Sequence, residues 1–266
     1  MDDFILTSRA LIAVGLTLLL ALLRIDAERF GTAEYYEATG AGERPRVRRR
    51  LAWYGLGFGG AVLILTIHPA ARTELFLGTG DRLGAVLGGI AFGGLGVLVA
   101  AGFASYRYHR IRLPAESSYP GALLNSTATA FIDEVAFRGA LFGLLLVGGI
   151  DPTLANLAQT IVYALTTRLG APGRDRYLLG LTLGIGFIGG WLTALTGGIA
   201  AAFLGHAVTR FAVFLCTGHI GQTMPRGREV EEIEKRRRPP EGWRVIGSRE
   251  SGSRESASRE SASRDQ

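Results

Sequence analysis

Long apolar runs alternate with short polar or Gly- and Pro-bearing breaks from residue 4 to residue 217, after which the chain turns polar. The runs lie at 4–23, 51–67, 83–105, 121–150, 153–167, 178–195 and 199–217. A helix rises 1.5 Å per residue, so ~20 apolar residues cross a hydrocarbon core of ~30 Å. The pattern predicts an all-α, polytopic transmembrane bundle of about seven spans. Two runs depart from the ordinary length. As one helix 121–150 would reach about 45 Å, so its start is expected to be an interfacial or separate short helix. The run 153–167 reaches only ~22 Å and carries Asn156, Gln159, Thr160, Thr166 and Thr167. A helix that short and polar leans on a thinned bilayer or borders a wet interior.

The breaks carry orientation. Asp2 and Asp3 precede the first run and Arg24 follows it with no small-residue cleavage site, unlike a signal peptide with its basic n-region, so a retained helix is expected. With seven spans and an outside N-terminus, segments 24–50, 106–112, 168–176 and 218–266 hold 24 basic residues, against Arg9, Arg72 and Arg82 on the other side. Orientation follows Lys and Arg in short loops, which predicts N-out, C-in. Trp53 and Tyr54, at the start of the second run, are expected at the interface that aromatic residues favour. Gly84, Gly88, Gly89 and Gly93, and the pairs Gly180/Gly184 and Gly186/Gly190, read as close helix packing. Asp151 and Pro152 are a turn followed by a helix start. In the tail, Glu231, Glu232 and Glu234 precede Lys235, Arg236 and Arg238 at helical spacing, which suits a short charged helix. From Ser248 a Ser-Arg-Glu-Ser-Gly/Ala pentad repeats with nothing larger than Ala to bury, so disorder is expected. The chain divides into residues 1–110, three helices with a basic loop; 111–218, the remaining membrane domain; and 219–266, a basic and largely disordered cytoplasmic tail.

Composition narrows the function. The chain is 48% hydrophobic despite its polar tail, which puts it in a cell membrane as a multi-pass protein in contact with lipid. The formal charge of +6 sits beside apolar runs, a pattern that fits anionic headgroups and not nucleic acid. Cys216 is the single cysteine, which excludes an intramolecular disulfide and a multi-cysteine metal site.

Ionisable residues inside apolar runs are costly and are functional candidates by default. Asp133, Glu134 and Arg138 lie in the fourth run, and His206 and Arg210 in the seventh. Glu134 and Arg138 are four apart with the acid first, the better orientation for an ion pair. Asp133 points about 100° away around the helix. His206 and Arg210 share a face, and both groups lie ~16 to 18 Å from the same end of their helices, so they can meet at one depth. A carboxylate can activate water as a general base, and an imidazole and a guanidinium can donate to the oxyanion of amide hydrolysis. A structural salt-bridge cluster is the competing reading. A zinc peptidase wants three protein ligands, and beyond Glu134 and His206 no third can be named; no cofactor or metal is expected.

These residues resemble the motifs of the CPBP (Abi) family of CAAX-processing and bacteriocin-processing membrane proteins, which includes the glutamic CAAX prenyl endopeptidases. That family's Glu-Glu-x-x-x-Arg is matched by Asp133-Glu134-Val135-Ala136-Phe137-Arg138, followed by Gly139. Its Phe-x-x-x-His is matched by Tyr163-Ala164-Leu165-Thr166-Thr167, and its His-x-x-x-Asn by His206-Ala207-Val208-Thr209-Arg210. The resemblance covers residues 120–215 and implies an intramembrane endopeptidase acting on a prenylated or other membrane-associated peptide. Its site residues would be Asp133, Glu134, Arg138, His206 and Arg210. Three positions depart from the pattern: Asp133 and Thr167 stand where the family's water-activating acid and histidine would be, and Arg210 stands for Asn, its charge expected to be balanced by Asp133. The alternative is a non-catalytic relative that uses the same cavity to hold a membrane partner or lipid-modified peptide.

Overall fold

The computed structural model describes residues 2–30, 44–108, 111–114, 116–170, 177–217 and 244–246. The fold is all-α. Helices α1 (Asp2–Ile25), α2 (Arg44–Ile67) and α3 (Arg82–Tyr108) come first. A long helical segment follows in three pieces: α4 (Tyr119–Asp133), a π-helical stretch (Glu134–Leu141) and α5 (Phe142–Val147). Then come α6 (Pro152–Leu169), α7 (Tyr177–Thr196) and α8 (Ala200–Thr217). Two three-residue strands, β1 (Ile111–Leu113) and β2 (Arg244–Ile246), pair antiparallel and tie part of the tail to the segment before α4. The charged helix expected over 226–238 and the pentads from Ser248 lie outside the described residues.

Among the described residues, five stretches are long and apolar enough to cross a membrane: Thr7–Ile25, Val47–Ile67, Arg82–Tyr106, Leu179–Thr196 and Ala200–Thr217. Burial is inverted relative to a soluble protein. Leu11, Leu18, Leu83, Ile90, Leu98 and Leu195 are each exposed, while Asn125, Asp133, Glu134, Arg138, Gln159, His206 and Arg210 are buried. Apolar residues turned outward and ionisable ones turned inward are the arrangement that a lipid solvent selects. The chain is a multi-pass membrane protein.

The small residues of α3 pack against α8. A side chain at Gly88 would contact Ala201, one at Gly89 would press on Leu204 and one at Gly93 on Val208. The glycine reading is only partly right for α7, where Gly186 and Gly190 face Thr160 and Asn156 but Gly180 and Gly184 face open space. Asp151 caps α6, its Oδ1 accepting from the backbone N–H of Thr153 (2.9 Å) and Leu154 (3.2 Å), with Pro152 in the first turn. The 121–150 run does not begin as a separate helix: a 3-10 turn at Glu116–Ser118 leads directly into α4, which continues to Val147.

The segment 68–81 crosses from α2 to α3 as a strap over the π-helical stretch. The Asp81 N–H donates to Thr196 O (2.7 Å), and the Ile199 N–H donates to Phe76 O (3.1 Å), fastening the strap to the α7–α8 turn. Gly80 has φ +66°, and a side chain there would strike Thr196 O. Gly139 and Gly143 make the crossing possible: a Cβ at Gly139 would collide with Leu77 and sit 3.1 Å from Leu75 O, and one at Gly143 would hit the backbone of Glu74 and Leu75.

Trp53 and Tyr54, at the start of the second apolar run, turn toward neighbouring helices. Both are buried; Trp53 Nε1 donates to Leu23 O (2.8 Å) and locks α2 to α1, while Tyr54 points into the bundle. An indole or phenol in an apolar interior needs a partner for its polar end, and both have one here.

Candidate active site

The π-helical stretch begins at Glu134 and contains Arg138. Such a stretch widens the helix by one residue per turn and is frequent at functional sites. Here Glu134, Val135, Ala136, Phe137 and Arg138 are all buried, in a stretch that packs against α1, α2, α6, α7 and α8.

Glu134 is the centre of the cluster. Its Oε1 lies 2.7 Å from His206 Nδ1 and 3.5 Å from Arg138 Nη1, with all three side chains buried. His206 Nε2 lies 3.2 Å from the Tyr163 hydroxyl. The Arg138 guanidinium lies over the Tyr163 ring, 3.9 Å from its centroid, a cation–π contact that gains strength when desolvated. The Phe137 ring packs against the same ring in a tilted arrangement, centroids 5.2 Å apart. With Glu134 as a carboxylate, which can only accept, Nδ1 carries a hydrogen and a neutral imidazole accepts the Tyr163 O–H at Nε2. α7 approaches through Gly189, where a Cβ would stand 3.2 Å from Arg138 Nε and 3.6 Å from Glu134 Oε2.

Asp133 faces elsewhere. Its Oδ1 is 3.0 Å from Arg24 Nε of α1, both side chains being buried. The contact is an ion pair without hydrogen-bond alignment, since neither Asp133 oxygen and not Arg24 Nε has a hydrogen-bond partner among the described residues. This corrects one expectation and refines another: Arg24 belongs to the interior and not to the headgroup-facing loop, and it makes the direct ion pair with Asp133, whose charge acts on Arg210 only through space. Arg210 instead donates from Nη2 to Asn125 Oδ1 (3.4 Å), and Asn125 Nδ2 donates to the Tyr54 hydroxyl (2.8 Å). That line of polar contacts joins α8, α4 and α2.

Thr167 is buried, with its Oγ1 unpartnered among the described residues. Its helix, α6, ends against the end of α1, where a side chain at Gly170 would meet the carbonyls of Arg24 and Ile25. A second buried polar group on α6 is structural: Gln159 Nε2 donates to Asn156 Oδ1 (2.7 Å) and Gly186 O (2.9 Å), and Asn156 Nδ2 donates to Phe187 O (3.1 Å), tying α6 to α7. Among the described residues, no three His, Cys, Asp or Glu side chains gather as a metal-binding group.

The fold therefore brings Glu134, Arg138 and His206 into direct contact. It sets Asp133 with Arg24 on one flank and Arg210 with Asn125 on another. Arg24, Asn125, Tyr54 and the Tyr163 hydroxyl are the participants that reading by ionisable motif residues passes over. An arginine directly after an apolar run is the signal for Arg24, and a tyrosine at a motif's Phe position is the signal for Tyr163.

Residues 115–212 match the family described as type II CAAX prenyl endopeptidase Rce1-like. No curated protein and no solved structure matches the chain.

Proposed function

We propose that this protein is an intramembrane endopeptidase whose Glu134–His206 dyad activates water against a peptide bond, a reading supported by the match of residues 115–212 to the type II CAAX prenyl endopeptidase family. The observation that carries the reading is the buried 2.7 Å contact between Glu134 Oε1 and His206 Nδ1. A carboxylate that holds an imidazole by one nitrogen fixes its tautomer and orientation and leaves the other nitrogen as the base. Arg138 stands 3.5 Å from Glu134 Oε1 and is itself held over Tyr163. Asp133, engaged by Arg24, is an electrostatic neighbour and not the base. Arg210 has donors beyond the one given to Asn125, and these serve the oxyanion of the tetrahedral intermediate.

The substrate class is a prenylated or otherwise membrane-associated peptide, presented to a site buried among helices in the cell membrane. Seven spans with the N-terminus outside and the C-terminus in the cytoplasm accord with the distribution of basic residues. Residues 1–110 then serve as a support for the family domain at 111–218, with 219–266 as the cytoplasmic tail. A second reading, a relative that binds such a peptide without cleaving it, is favoured by one observation: the position equivalent to a water-activating acid, Asp133, is ion-paired to Arg24 while Thr167 supplies no imidazole.

Purified protein incubated with prenylated and unprenylated peptides, beside Glu134→Gln, separates the two. Cleavage that disappears in Glu134→Gln supports the peptidase. Prenyl-dependent binding without cleavage supports the binding reading.

A further inference from the structure

Tyr163 does more than pack. Its ring is held by two neighbours, the Arg138 guanidinium at 3.9 Å and the Phe137 ring at 5.2 Å, so its hydroxyl has a defined position. That position is 3.2 Å from His206 Nε2, the nitrogen left as acceptor once Nδ1 has bonded Glu134. The three side chains form one continuous line, carboxylate to imidazole to phenol, drawn from the π-helical stretch, α8 and α6. In this resting arrangement the imidazole nitrogen meets the phenol, and the atom at the outer end of the line is Tyr163 Oη. Phe at the equivalent place in the resembled motif would supply the ring and lack the hydroxyl, and the same motif carries Thr167 where the imidazole would be.

We propose that Tyr163 is a catalytic residue, the terminal atom of a Glu134–His206–Tyr163 proton relay. The inference rests on the peptidase reading given above. In the first step the water oxygen bonds to the scissile carbonyl carbon and the carbonyl π pair moves to its oxygen. The water proton passes to Tyr163 Oη as the phenolic proton passes to His206 Nε2, leaving an imidazolium held by the Glu134 carboxylate. In the second step the oxyanion pair re-forms the carbonyl and the C–N bond breaks. The leaving nitrogen takes the proton from Tyr163 Oη, which recovers one from His206 Nε2. The products are a carboxylic acid, which keeps the water's second proton, and an amine, and the relay returns to its starting state. Outer-end proton donors and acceptors of this kind contribute through general acid–base catalysis.

Tyr163→Phe removes Oη and keeps the ring against Arg138 and Phe137, so the parent's melting behaviour in detergent is the control for folding. The relay predicts a fall in kcat of ~10²-fold or more, the usual range of general acid–base contributions being 10² to 10⁴-fold, with KM unchanged. A second variant keeps both fold and hydroxyl: 3,5-difluorotyrosine at position 163, whose more acidic phenol is expected to move the alkaline limb of the pH–rate profile to lower pH. A purely structural tyrosine would leave that limb in place. Parent-like kcat in Tyr163→Phe, or an unmoved limb in the fluorinated protein, overturns the role of Tyr163 and leaves the peptidase reading standing. A parent that cleaves no peptide overturns the peptidase reading and the relay together, so the two failures are distinguishable.

Discussion

The ion pair between Arg24 and Asp133 gives the most exacting test of how the bundle is held. Both side chains are buried, and the N···O distance is 3.0 Å. Two unit charges about 4 Å apart attract by ~4 kcal/mol at an effective dielectric near 20. Desolvation costs several kcal/mol for each ion, so the pair as a whole is close to balanced, whereas a partner left alone costs ~3 to 5 kcal/mol. Arg24→Met strands the Asp133 carboxylate, and Asp133→Asn strands the guanidinium. Each single variant is expected to lose ~3 to 5 kcal/mol. The double variant removes both charges and is expected to be more stable than the worse single, with a coupling energy of several kcal/mol. Unfolding titrations of the four proteins in mixed micelles, followed by far-UV circular dichroism, close the cycle. Additive losses would refute the reasoning, since they would mean that α1 does not contact the fourth helical segment through these charges.

Further outcomes follow from the same geometry. A reporter fused after Gln266 is expected in the cytoplasm and one inserted near Gly80 outside, and opposite signals in a reporter-fusion assay would overturn the orientation. Restoring family-like residues with Asp133→Glu and Thr167→His is expected to raise peptide cleavage by at least ~10-fold only when Arg24→Met is also present, because Arg24 otherwise holds the acid; general-base assistance of that size is ordinary. Gly139→Leu places a side chain against Leu77 and Leu75 O and is expected to lower the melting temperature in detergent by displacing the strap, whereas the same change at Gly180, which faces open space, is expected to leave it unmoved.

Much of the fold was legible because lipid imposes a simple rule on apolar run length, and most runs became helices close to their expected bounds; the second helix instead starts at Arg44, inside the expected polar loop. The exceptions are local and physical. Position alone reads Trp53 and Tyr54 as interfacial and does not show their partners, 30 and 71 residues away at Leu23 and Asn125. Nothing in the 3.6-residue period announces the π-helical widening at Glu134–Leu141.

The site was legible where chemistry and spacing coincided. Glu134 with Arg138 at four residues, and the meeting of Glu134 with His206 at one depth, both follow from helix geometry. Arg24 was hidden because an arginine at the end of an apolar run reads as a headgroup contact, and only the packing of α1 against the fourth helical segment turns it toward Asp133. Asn125 was hidden for a different reason: its value to Arg210 depends on which face of α4 meets α8.

The central claim, hydrolysis by the Glu134–His206 dyad, is tested most directly by a single measurement on purified protein in lipid nanodiscs: mass-spectrometric detection of cleavage of a prenylated peptide, run in parallel with Glu134→Gln and His206→Gln. The account predicts a defined cleavage product from the parent and its loss, by ~10²-fold or more, in each variant. A product formed at the parent's rate by either variant, or no product from a parent that is folded and binds the peptide, would contradict it.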